Sequence, residues 1–77
     1  MSFEILDTVV LNRDLPEHDL RAGDLGAIVE VYSAGQIEVE FVTASGRTKA
    51  LVSLDVTDIR AIADTDLVAV RPLARPA

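Results

Sequence analysis

The sequence predicts an all-β fold, a small SH3-like barrel of five to six short strands. The 77 residues suffice for one domain, and nearly half of them are apolar, mostly aliphatic rather than aromatic. This composition is typical of a chain with a packed core and not of a disordered one. Apolar, β-branched segments of about five to seven residues alternate with turn-forming residues at the spacing of a small barrel or sandwich.

The first part of the chain is predicted to form two strands joined by a compact loop. Strand one covers Thr8–Leu11, and a polar loop follows at residues 14–24. Leu15 and Leu20 are expected to pack this loop against the barrel. Strand two is predicted over residues 26–32. With regular alternation, one face carries Ala27, Val29 and Val31, and the other carries Ile28, Glu30 and Tyr32.

Strand three, residues 37–42, has the clearest period of two in the chain. Its alternation places Ile37, Val39 and Phe41 inward, with Glu38 and Glu40 outward. The four-residue turn at 33–36 makes strands two and three a hairpin. Strand four, residues 48–54, is predicted to face Ala50, Val52 and Leu54 inward.

In the last part of the chain, the sequence predicts a helical turn, a short strand, and then either a further strand or a tail. Residues 55–58 form the turn, with Asp55 able to cap it, and residues 59–62 form the strand. Residues 67–70 form either a sixth strand or part of a tail. A helix over residues 56–70 is the rival, but the β-branched content argues against it. We therefore expect the barrel in residues 1–63 and a C-terminal strand or tail in residues 64–77.

Charge limits the classes of partner. Thirteen acidic residues against seven basic ones give a net charge of −6. Nucleic-acid binding depends on basic residues that neutralise phosphates, so the excess of acidic residues argues against it. The negative net charge is also explained by solubility alone, without any partner. No apolar run approaches the ~20 residues that span a bilayer, and the first residues lack the pattern of a signal peptide. A cytoplasmic protein without a membrane partner is expected.

No group of residues is suited to catalysis. The chain has one His, one Lys and no Cys. His18 lies between Glu17 and Asp19, but adjacent side chains point apart, and no second His completes a transition-metal site. We read it as a solvated loop histidine. Since no glycine-rich phosphate loop is present either, we expect no enzyme activity, no cofactor and no metal.

One short segment reads like a motif. Gly23 and Gly26 stand three residues apart at the entry to strand two, as in the KOW elements of ribosomal and transcription-factor barrels. Because any small barrel needs such a sharp corner, the spacing alone indicates a corner rather than a function.

Several stretches, in order along the chain, resemble one family. They are residues 6–11 (LDTVVL), 14–17 (DLPE), 20–26 (LRAGDLG), 29–32 (VEVY), 39–42 (VEFV) and 58–60 (DIR). Over residues 3–62 the chain resembles the Domain of Unknown Function 4926 family. The resemblance implies a small bacterial SH3-like barrel without established catalytic residues. Some members of this family are encoded beside toxin-like or nuclease-like genes, and the resemblance therefore implies an antitoxin or immunity role.

Protein binding is the function that the outward residues favour. Ile28, Tyr32 and Val42 are predicted to form a partly exposed apolar strip bordered by Glu30, Glu38 and Glu40, which suits a basic protein partner. The loop residues Glu17, His18 and Asp19 offer a second surface. The strip could instead be covered by the loop or tail, or meet its own copy in a homodimer. The alternatives are a KOW-like nucleic-acid-binding barrel and an accessory domain of a larger enzyme, like the barrel of the nitrile hydratase β-subunit.

Overall fold

The structure, a computed structural model, describes residues 3–33 and 35–73 and confirms the all-β class. Five antiparallel strands form one open sheet in the order β4-β3-β2-β1-β5. Two single 3-10 turns, Pro16–His18 and Val56–Asp58, interrupt the connections. The strands are β1 (Thr8–Leu11), β2 (Leu25–Ser33), β3 (Gln36–Val42), β4 (Thr48–Asp55) and β5 (Ile59–Ala61).

The sheet curls around a single core. Strands β1 to β4 form an antiparallel meander, and β5 then returns to the other side of β1, where Val9 pairs with Ala61. All five strands contribute side chains to one buried cluster, including Val52 and Leu54 of β4 and Ile59 of β5. No helix layer covers this face in the described residues, so side chains such as Val9 and Val39 reach 0% exposure because the sheet curls around them into an incompletely closed barrel.

The predicted inward residues of β3 and β4 are confirmed. Ile37, Val39 and Phe41 are buried, as are Val52 and Leu54, while Ala50 is half-buried against the cluster. Glu38 and Glu40 lie on the outer face and are partly exposed.

The long loop before β2 is compact, as predicted. Leu15 and Leu20 are buried and joined by two backbone hydrogen bonds, one in each direction, of 2.9 and 3.1 Å. Their burial in the common cluster makes the loop part of the core.

The sixth strand proposed at residues 67–70 is wrong. Within the described residues this segment has no assigned secondary structure and belongs to no ladder, so only the tail alternative holds. Ion pairs hold it at both ends, and no strand of the described part of the chain pairs with it. Residues 74–77 of the predicted tail, and Ala34 in the predicted turn, lie outside the described residues.

Candidate functional site

An irregularity in β2 removes Ile28 from the predicted surface. Ile28 lies opposite Val39, but the next pair is Glu30 with Glu38, so Val29 is an extra residue in a β-bulge. The bulge breaks the period of two, which turns Ile28 into the core, where its side chain is 0% exposed. The expectation that Ile28 borders the acidic residues on an exposed strip is therefore wrong.

The remaining predicted residues of β2 and β3 form an outer-face cluster, which we call the acidic patch: Glu30, Tyr32, Glu38 and Glu40. Glu30 is directly opposite Glu38, which is directly opposite Ser53 of β4. A second bulge at Tyr32 ends the regular pairing of β2. The Tyr32 side chain is 56% exposed, so the patch combines carboxylates with an accessible aromatic ring.

The electrostatics of Tyr32 show how closely the patch is packed. Partial desolvation raises the pKa of the Tyr32 hydroxyl, and hydrogen bonding and charge from Glu38 raise it further. A hydrogen-bond interaction with Ser53 acts in the opposite direction, while the charge of Glu30 adds to the increase. The Tyr32 hydroxyl therefore lies near the Glu38 carboxylate, and it stays protonated at neutral pH.

The Glu30–Glu38 pair places like charges directly opposite each other across two strands. Such pairs destabilise a sheet. The ion pairs of the described residues join Arg13 to Asp58, Arg60 to Asp66 and Arg71 to Asp24, and none of them reaches the patch. No ion pair within the described part of the chain therefore offsets this repulsion.

The Glu40 carboxylate is less free to bind a partner than the carboxylates of Glu30 and Glu38. It lies opposite Ala27 on one side and Leu51 on the other, and its carboxylate accepts a 2.6 Å hydrogen bond from the Thr48 hydroxyl. Glu40 therefore forms the border of the acidic patch, and Glu30 and Glu38 form its centre.

Val42 does not belong to the patch, which corrects the predicted strip. Its side chain is 54% exposed, but it lies at the opposite end of β3 from Tyr32. Five residues of extended strand separate Val42 from Ile37, the position beside Tyr32, and this spans roughly 17 Å. The apolar strip is therefore divided between two ends of the sheet.

The loop residues Glu17, His18 and Asp19 are likewise distant from Tyr32. They form the 3-10 turn Pro16–His18 and its C-terminal cap, where Asp19 has a φ of 56°. The Asp19 carbonyl accepts a 3.2 Å hydrogen bond from Arg71, which also binds Asp24 just before β2 begins. The structure thus places this loop beside the start of β2, whereas Tyr32 lies near its end.

A feature that the sequence did not predict is the strap, residues 66–71, which crosses the outer face of the sheet. Asp66 receives two hydrogen bonds from the Arg60 guanidinium, at 2.8 and 2.9 Å. Arg71 donates to both carboxylate oxygens of Asp24, at 2.9 Å from its Nε. Between these two anchors Leu67 and Val70 are almost fully exposed.

Beneath the strap lies a groove of about 870 Å³. Its floor includes Val10, Leu25 and Val42, which follow one another across three strands on the outer face. Val10 is buried although its neighbours Val9 and Leu11 supply the core. The alternation of β1 predicts an outward Val10, and the strap together with its cross-strand neighbours Leu25 and Arg60 explains its burial.

The anchoring carboxylates are stabilised in their ionised forms. The hydrogen bond from Arg60 holds the pKa of Asp66 at about 2. Burial raises the pKa of Asp24, but hydrogen bonds from Arg71 and the Arg21 backbone, with the charge of Arg71, outweigh it and leave that pKa below its usual value. Both anchors of the strap are therefore ion pairs at neutral pH.

Two negative findings concern metals and membranes. Among residues 3–33 and 35–73 no three His, Asp or Glu side chains come together in a way that could hold a metal ion. In the same residues, no helix has the length and apolar character to cross a membrane.

Comparison with known proteins gives a family. No curated protein and no solved structure matches the chain. A family described as "Domain of unknown function (DUF4926)" matches residues 5–61, from the residues before β1 to the end of β5. The match covers the whole sheet and the loops within it, and the chain belongs to this family.

Proposed function

We propose that this protein is a small, non-catalytic binding module that docks a basic protein partner on the acidic patch. The observation that carries the proposal is that Glu30 and Glu38 face each other across two strands. No basic side chain of the described residues forms an ion pair with either of them. A surface that loses stability through like charges gains from a partner that supplies the opposite charge. A partnership of the antitoxin or immunity type is the form that we propose.

Tyr32 is suited to the centre of such a contact. Its ring is accessible, and the carboxylates of Glu30 and Glu38 lie beside it. Tyrosine is enriched at interface centres because it buries a large rigid ring and keeps a polar tip. A guanidinium or ammonium group could stack on the ring while pairing with either carboxylate. The patch thus offers both contact area and charge to an Arg-rich or Lys-rich surface.

The proposal is tested by binding kinetics against the product of the neighbouring gene at two ionic strengths. Glu38→Lys with Glu40→Lys should mainly slow association, with an effect that shrinks as salt increases. Tyr32→Ala should mainly speed dissociation because it removes buried area. The matched control is Glu4→Lys with Asp64→Lys, which changes the net charge equally at exposed positions outside the patch.

A second signature separates docking from a general charge effect. Glu38→Gln should raise the melting temperature slightly, since it removes the repulsion with Glu30, and yet it should weaken binding. If both lysine pairs slow association equally, or if Tyr32→Ala binds like the parent, the patch is not the docking surface. Loss of binding on substitution of Glu17, His18 or Asp19 would identify the loop as the surface instead.

A further inference from the structure

The floor of the groove beneath the strap is covered at one end and open at the other. Its residues follow one another across the sheet, Val10 on β1, Leu25 on β2 and Val42 on β3. Their exposure increases in that order, from 6% at Val10 to 37% at Leu25 and 54% at Val42. The half of the floor on β2 and β3 is therefore open apolar surface in the described part of the chain.

A bulge in β4 places a cation beside the open half of the groove. Phe41 on β3 pairs with Ala50, but the next residue, Val42, pairs with Thr48. Thr48 and Lys49 thus stand together opposite the single residue Val42. Bulges re-aim side chains and are common next to active sites. Lys49 lines the groove and is only partly exposed, so its ammonium group lies where the open apolar floor ends.

The charge of Lys49 is not neutralised within the described residues. The other charged residues that line the groove are the four that form the two anchors of the strap, and each anchor is an ion pair. Lys49 belongs to no ion pair of the described residues. Glu40 does not line the groove, and its carboxylate accepts the Thr48 hydroxyl. The groove therefore combines an apolar floor with one positive charge.

We propose that this groove binds a small amphipathic anion, a medium-chain carboxylate, with its alkyl chain on Leu25 and Val42 and its carboxylate on Lys49. The volume of about 870 Å³ is that of a small-molecule site, where the walls are mostly apolar and a few polar groups fix the orientation. Two strand spacings, roughly 10 Å, separate β2 from β4. Since a carbon–carbon bond is about 1.5 Å long, an extended chain of about eight carbons covers this distance.

The strap supplies a second apolar wall for the alkyl chain. Apolar residues of the strap and of the two positions after it line the groove, among them Leu67, Val70 and Leu73. Leu67 and Val70 are almost fully exposed in the described chain. A bound alkyl chain removes apolar surface of both walls from water, which is the main driving force for its binding. Because the two anchors already hold the strap in place, binding requires little further ordering of this wall.

The inference goes beyond the proposed function and does not depend on it. The groove reaches Val42, at the opposite end of β3 from the position beside Tyr32. Binding of a small molecule is measured without any protein partner, so its failure leaves the docking of a basic protein on the acidic patch untouched.

Octanoate is the probe, and amide NMR shifts of the isotope-labelled protein follow its binding. We expect saturable shifts at Leu25, Val42 and the strap, with a dissociation constant on the order of 0.1–1 mM for a ligand of this size. Octan-1-ol has the same chain without the charge. It should bind at least about tenfold more weakly, because it lacks the charged hydrogen bond to Lys49.

Three variants separate the role of the cation from that of the apolar floor. Lys49→Glu should raise the dissociation constant of octanoate at least about tenfold, whereas Lys49→Arg should bind like the parent. Arg47→Glu is the matched control, because it makes the same charge change at an exposed position that does not line the groove. It should also bind like the parent. Val42→Glu should weaken the binding of octanoate and of octan-1-ol alike.

Denaturant unfolding of each variant verifies the fold, and Lys49→Glu breaks no side-chain hydrogen bond of the described residues. Shifts that spread over the whole surface without saturation would mean an adventitious additive only and would overturn the proposal. Equal affinities for octanoate and octan-1-ol would overturn it as well. So would equal losses of octanoate binding in Lys49→Glu and Arg47→Glu, because the effect would then be one of net charge.

Discussion

Phe41 is the largest side chain among the buried residues, and 2% of its surface is exposed. Its neighbours on β3, Glu40 and Val42, point outward, so a register slip of one residue would exchange core for surface. Phe41→Ala should lower the free energy of unfolding by roughly 3–5 kcal/mol. In a domain of this size that loss removes a large part of the total stability.

Urea denaturation followed by circular dichroism measures this change. Val42→Ala is the control, because Val42 is half exposed and should cost far less. A cooperative transition of Phe41→Ala at the parent's midpoint would contradict the assignment of Phe41 to the core.

Gly26 is required because residues of the neighbouring strand β3 approach it closely. A Cβ atom at this position would lie 2.5 Å from Cγ1 of Val39 and 3.0 Å from Cε1 of Phe41. Gly26→Ala should therefore cost more than the ~1 kcal/mol of a typical substitution. Because the closest atom belongs to Val39, Gly26→Ala should cost less when Val39 is also changed to Ala.

A double-mutant cycle measures the coupling, which is expected because the two residues are in contact. If Gly26→Ala costs the same in both backgrounds, the clash with Val39 is not the reason for the glycine.

At the scale of elements, the alternation of apolar and polar residues predicted the inward and outward side chains of β3 correctly, but those of β2 only in part. Regular alternation places Ile37, Val39 and Phe41 on one face, and the structure agrees. In β2 the bulge at Val29 shifts the alternation of inward and outward residues. Valine is an ordinary strand residue, so nothing in the sequence indicates a bulge at this position. A bulge arises from how the partner strand fits, so a single strand's sequence does not contain it. The error at Ile28 follows from this alone.

The strap shows the same limit at longer range. Residues 67–70 are apolar, and the sequence allows either a sixth strand or a tail there. Their conformation is decided by Arg60 and Asp24, the latter far away in the sequence, which hold Asp66 and Arg71. In the sequence, the isolated charged residues Asp66 and Arg71 do not indicate which residues they will pair with. Of the candidate site, Tyr32, Glu38 and Glu40 were therefore predictable, whereas the groove was not.

At the scale of the whole molecule, ion pairs between distant segments make stability depend on pH. The pKa values of Asp24, Asp58 and Asp66 all lie below the usual range, that of Asp58 chiefly through its hydrogen bond from Arg13. A depressed pKa in the folded state stabilises the fold above the unfolded value of about 3.9, and this contribution is lost as the pH falls through the folded value. Stability should therefore decrease between about pH 4 and pH 2.

Asp58→Asn tests this dependence, because asparagine resembles the protonated acid in shape and lacks its charge. The variant should be less stable than the parent at pH 7 and should approach the parent near pH 2. Urea midpoints across this range provide the measurement. An equal difference at both ends of the range would show that the Arg13–Asp58 pair acts through shape and not through charge.

The position of β1 in the sheet has a consequence for synthesis of the chain. Val9 pairs with Gly26 on one side and with Ala61 on the other, so β1 obtains its second neighbour only when β5 has been made. At ribosomal speeds of about 5–20 residues per second, the nascent chain waits roughly 3–10 s between these two strands. During that interval β1 lacks one of its two strand neighbours. Completion of the barrel is therefore a late event that translation itself delays.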